Sequence, residues 1–202
     1  MRRAHVALLS FVLALGAAPT FGRSWDENTD GGEDAGIQTA AQATTGVAPL
    51  TSISGSLRYS AGDHVDCYRI TVSSDSGFYA TTDASIDPNA SSDEGDTRLW
   101  IFSGPDGAVA ISGNDDAPQG SEAFSYVADE SDPSFSTPPS NPVVTPLDEG
   151  EPIVLCISYY PNDPQDAADV DLIDMEIYTA LSGPNPAAGS FDHWENMATN
   201  QG

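Results

Sequence analysis

The chain has no lysine at all and only six arginines among its 202 residues. That absence removes Schiff-base chemistry, a phosphate-binding lysine and a Ser-Lys dyad. Histidine is almost as scarce: His5, His64 and His193. His64 lies in the turn stretch AGDHVD and reads as a surface residue, while His193 lies in FDHWEN near the end of the sequence. Neither stretch resembles the setting of a Ser-His-Asp triad, and no Gly-x-Ser-x-Gly elbow occurs. There are two cysteines, Cys67 and Cys156. A zinc site built on them would need two suitably spaced histidines, which the sequence lacks. No segment after residue 22 is apolar enough for a membrane span, and no long segment has a period of 3.6.

Residues 1–22 have the form of a secretory signal. Arg2 and Arg3 open it, and the apolar run ALLSFVLALGAA (Ala7–Ala18) is too short to cross a bilayer. Cleavage before Arg23 leaves about 180 residues, enough for one domain with a real core. It also leaves four arginines against 31 acids, a formal charge of 4 − 31 = −27 where the whole chain has −25. Such a surface repels phosphate backbones and anionic lipid, so nucleic acid is excluded as a partner. Export would place Cys67 and Cys156 in an oxidising compartment, which predicts one disulfide between them. The expected location is secreted, periplasmic or at the cell surface. Residues 23–48 read as an acidic flexible lead-in and residues 49–202 as the folded domain.

The body reads as strands. In DCYRITVS, Tyr68, Ile70 and Val72 share one face, and Cys67, Arg69 and Thr71 the other. Thr97–Ser103 is an apolar strand, followed by the turn SGPDG and a returning arm at Ala108–Ser112. Pro sets φ in that turn and Gly supplies its left-handed position. Shorter arms are expected at Thr51–Tyr59, Gly77–Thr82 and Ser121–Ala128, and a long loop at Ser131–Pro146. In EPIVLCISYY, Ile153, Leu155 and Ile157 face one way and Val154, Cys156 and Ser158 the other. If the two cysteine strands are sheet neighbours, the thiols can meet on one face. Leu172–Leu181 admits a strand or a helical turn. Short strands with Gly/Pro/Asp turns predict an all-β antiparallel sandwich.

The segments HVDCYRITV (His64–Val72), DTRLWIFSGPDG (Asp96–Gly107), GNDDA (Gly113–Ala117) and PIVLCISYY (Pro152–Tyr160) come in a familiar order. In that order the chain resembles bacterial pre-peptidase C-terminal domains, in the form found in secreted planctomycete-type proteins. The lead motifs Trp25-Asp26-Glu27, Asp34-Ala35-Gly36 and Ala41-Gln42 fit the same pattern, so the resemblance runs from about Trp25 to Trp194. It implies a jelly-roll-like β-sandwich that serves as a non-catalytic accessory module, with calcium or fibrous substrates as ligands in some relatives. Two features depart from the family pattern. Cys67 replaces a bulky residue, and the closing Gly-x-Tyr-x-Ile-x-Leu strand is missing before Gly202. The second departure implies a sandwich lacking its last strand, with an open edge able to pair with another chain.

Three acidic clusters are candidates for chemistry. The hairpin should bring Asp96 to the same end as Asn114, Asp115 and Asp116, which could supply half of a calcium shell. The same residue types equally cap turns through their side chains. In DENTDGGED, Asp26, Asn28, Asp30, Gly31 and Asp34 match positions one, three, five, six and nine of a calcium loop, but Ile37 stands at position twelve, where the bidentate glutamate belongs. Asp163, Asp166, Asp169, Asp171 and Asp174 read as a solvated acidic coat. Trp100, Trp194, Tyr159 and Tyr160 could form a sugar-stacking platform, although Trp100 and Tyr159 fit a core better.

The expectation is therefore a secreted, non-catalytic β-sandwich accessory or binding module. It requires no cofactor and admits calcium, and its partner would be a polysaccharide, a protein or a cell surface. The alternatives are an assembly protein that self-associates through an open edge and, less favoured, a small hydrolase using acidic residues.

Overall fold

A computed structural model of the chain describes residues 22–31, 36–46, 48–55, 57, 63–73, 78–82, 97–115, 126–128, 147–175 and 181–195. Its centre is a sheet of five strands. They are β2 (Gln42–Ala43), β4 (Val65–Thr71), β6 (Thr97–Ser103), β7 (Val109–Asn114) and β9 (Pro152–Tyr159), in the spatial order β2-β4-β9-β6-β7. The pairings β4–β9, β9–β6 and β6–β7 are antiparallel.

Alternation along the strands decides what each face holds. Tyr68, Ile70, Leu99, Ile101, Ile111 and Ile153 form one apolar layer. Cys67, Trp100, Phe102, Val154 and Cys156 form the opposite one. Both layers are covered, which is why Leu99-Trp100-Ile101-Phe102 is a continuous apolar run rather than an alternating one: every residue of it is at most 4% exposed. The first layer is closed by Trp25, Leu147 and Leu181, with Leu50, Ile53 and Phe78 packed beside them. Trp25, Leu50 and Ile53 come from β1 (Arg23–Asp26) and β3 (Leu50–Ser54). The second layer is closed by Leu172, Ile173 and Trp194. Trp194 belongs to a small antiparallel ribbon of β10 (Pro164–Asp166) and β11 (Phe191–Trp194). A further antiparallel pair joins β5 (Tyr79–Thr81) to β8 (Tyr126–Ala128).

The all-β sandwich expected from the sequence is present, with two parallel pairings added. Strand β1 runs parallel to β3, and β2 runs parallel to β4. Both additions come from the segment expected to be a flexible lead-in. That expectation does not extend to Trp25, Glu27, Gln38 and Ala41, each at most 5% exposed. Trp25 is the physical reason: it buries its indole edge-on against Tyr68, with ring centroids 5.6 Å apart, and draws the lead-in onto the domain. The hairpin turn follows its sequence chemistry, with Gly104 and Gly107 at φ 70° and 62°. Within the arm Leu172–Leu181, Ile173 makes an isolated bridge to Pro184, and residues 176–180 lie outside the described set.

The two cysteines form the expected disulfide. Cys67 and Cys156 face each other in the β4–β9 register, with Cα atoms 4.1 Å apart.

Candidate functional site

Among the described residues, a buried polar arrangement is built around Arg98, on β6. A guanidinium inside a strand buried on both faces must find acceptors. Arg98 is 4% exposed and finds two carboxylates. Its Nε and Nη2 donate to Asp115 Oδ2 at 3.1 and 3.0 Å. Its Nη1 donates to Asp163 Oδ1, supplied by the chain just after β9. The Tyr160 ring lies over the guanidinium, 4.4 Å from Cζ to the ring centroid. Register places these groups together: Leu99 pairs with Asn114, so Asp115 lies next to Arg98, and Arg98 pairs with Ser158 on the other side.

The electrostatics follow from this geometry. Burial pulls the Arg98 pKa down, but Asp163 and Asp115 overcome it and the net shift is upward. Burial pushes the Asp163 carboxyl up against the opposing pull of Arg98. We take the pair to be ionised, because an arginine with two carboxylate partners does not give up its proton. Glu195, just past β11, is also raised, first by burial and then by the charges of Asp163 and Asp171. Its backbone N–H donates to the Asp163 carbonyl at 2.9 Å, tying β11 to the same corner.

A second polar knot organises the β10–β11 ribbon. Asp166 is 7% exposed and accepts three backbone N–H groups: Ala168 and Val170 on Oδ1, Gly189 on Oδ2. Those bonds, led by that from Gly189, hold its carboxyl below the usual aspartate range. The positive φ of Asp169, 59°, lies inside the turn this carboxylate closes.

The hairpin cluster is thus partly accounted for. Asp115 is the ion-pair partner of Arg98, and Asn114 is fully buried at the end of β7. Asp96 and Asp116 lie outside the described residues. In the lead-in, Asp26 caps the short helix α1 (Glu27–Asp30) by accepting the Thr29 N–H at 3.0 Å. Asp30 accepts the Asp26 N–H at 2.9 Å, and the Ser54 hydroxyl donates to Asp26. Asn28 is exposed, and Asp34 lies outside the described residues. Among the described residues, no three His, Cys, Asp or Glu side chains are grouped to hold a metal ion.

Two expectations need correction. The acids at 163–174 are not a uniform solvated coat: Asp163 is tied to Arg98, Asp166 is buried in a turn, and Asp171 accepts from Gln165 Nε2 at 2.8 Å. Trp194 does not belong to a surface platform. It is 1% exposed, stands edge-on to Trp100 and Phe102, and donates its Nε1–H to Gln38 Oε1 at 2.8 Å. Trp100 donates to the buried Ser158 hydroxyl at 2.9 Å. Tyr160 is 41% exposed, but its ring is engaged with Arg98.

No protein-family model, curated protein or solved structure matches the chain. What remains is the chemistry of the residues themselves. Arg98 and Glu27 are the buried polar groups to which the sequence assigns no role. Arg98 carried the one usable signal, a lone cation inside an apolar strand.

Proposed function

We propose that this chain is a secreted, non-catalytic β-sandwich accessory module of the pre-peptidase C-terminal type, binding or spacing partners at or beyond the cell surface. One observation carries the reading: the described polar side chains that looked most able to do chemistry are engaged in structural contacts. Asp115 and Asp163 hold Arg98, Asp26 caps a helix, and Asp166 closes a turn. The buried disulfide fits an exported protein. Among the described residues, no helix is long and apolar enough to cross a membrane. The resemblance in segment order supplies the module type and, with it, calcium as a candidate ligand.

Two measurements test this. Thermal melting in EDTA and in millimolar calcium should show a higher midpoint with calcium; identical midpoints would remove the cation from the reading. A panel of glycans and peptides should show no turnover. Turnover abolished by a single Asp→Asn change would replace the module with a hydrolase.

A further inference from the structure

The Cys67–Cys156 bond lies where little can reach it. Strand β9 is the middle strand of the five and β4 is its neighbour. The Cys67 N–H points away from β9 and donates to the Gly36 carbonyl at 3.0 Å. The two cysteines therefore form a non-hydrogen-bonded pair, the position at which facing side chains approach most closely. Both are 0% exposed. Trp100 stands opposite Cys156 on the next strand and packs edge-on against Trp194, with centroids 6.0 Å apart. Leu172 and Ile173 complete the lid on the same apolar layer.

Two consequences follow. Thiol–disulfide exchange requires a thiolate to reach a sulfur atom, which the closed layer prevents. The bond also spans 89 residues, so in the chain-entropy picture its loss lowers the folded-to-unfolded ratio by roughly a thousandfold.

We propose that this disulfide is a one-way redox latch. The reduced chain folds poorly. Oxidation removes two electrons and two protons from the Cys67 and Cys156 thiols, a disulfide oxidant takes them up as a dithiol, and the Sγ–Sγ bond locks the sheet. Once folded, the protein is reduced only through global unfolding. Folding is thereby coupled to an oxidising compartment, whatever the module binds.

The test uses the full chain in excess dithiothreitol over a series of urea concentrations. Thiol release is followed with a chromogenic reagent and unfolding by tryptophan fluorescence. The two rates should coincide and rise together with urea. Thiols released at a urea-independent rate while the fluorescence stays native would overturn the latch. Chain refolded under reductant should show a urea midpoint well below that of oxidised protein; equal midpoints would overturn it as well. The Cys67→Val/Cys156→Val variant keeps the apolar volume and separates the cross-link from packing. It should behave like the reduced wild type, and a midpoint equal to the oxidised protein would contradict the proposal.

Discussion

At Arg98, removing the guanidinium strands two carboxylates, Asp115 at 5% and Asp163 at 16% side-chain exposure. Arg98→Ala should lower stability by about 3–5 kcal/mol in urea unfolding, as expected when one partner of a buried ion pair is lost. Arg98→Met combined with Asp115→Asn and Asp163→Asn should recover much of that loss, because the uncompensated charges go with it. At Gly113, directly opposite Trp100, an added Cβ would sit 2.6 Å from Trp100 Cε3. Gly113→Ala should therefore cost about 1–3 kcal/mol through overpacking, read as a lower urea midpoint with unchanged m. The glycine leaves room for the indole to lie across the sheet.

At the level of elements, Trp25 is the side chain by which β1 enters the core. Trp25→Ala should cost about 3–5 kcal/mol and release the β1–β3 pair, seen as faster amide exchange in β3. Gly55→Ala should weaken the same docking, since its Cβ would meet Glu27 Oε2 at 2.6 Å and the Tyr68 hydroxyl at 2.7 Å. This is also where the sequence was least legible. Trp25 sits in a polar stretch, RSWDENTD, with no alternation to mark a strand, and its partner Tyr68 is more than 40 residues away. The β6–β7 hairpin and β9 were legible because short apolar runs and a Pro-Asp-Gly turn act locally. The cysteine pairing was legible once both strands were. The Arg98 corner was not, because its members come from β6, the end of β7 and the chain after β9. With 31 acids available, no local pattern distinguishes Asp115 or Asp163 from the rest.

For the whole molecule, the shifted carboxylates give stability a two-part pH dependence. Glu195 is raised in the fold above its ordinary value of 4.5. Its contribution is complete below that value and is lost as pH rises through the raised one. Acidification toward 4.5 from above should therefore add stability, and Glu195→Gln should reduce that rise, to which the raised Asp163 adds with the same sign. Asp166 has the opposite sign. Its folded pKa is depressed, so its contribution is present above the ordinary aspartate value of 3.8 and is lost as pH falls through the lower, folded one. Below about pH 4 the protein should lose stability, and Asp166→Asn should flatten that limb. Both limbs are read from urea midpoints across the pH range.

The central claim is that the acidic corner around Arg98 is architecture. Its most direct test is Asp115→Asn, measured for urea stability alongside binding to and turnover of the glycan and peptide panel. We expect a clear fall in the midpoint and no ligand effect beyond it. An unchanged midpoint together with lost binding or turnover would contradict the claim, because Asp115 would then act on a ligand rather than hold the fold.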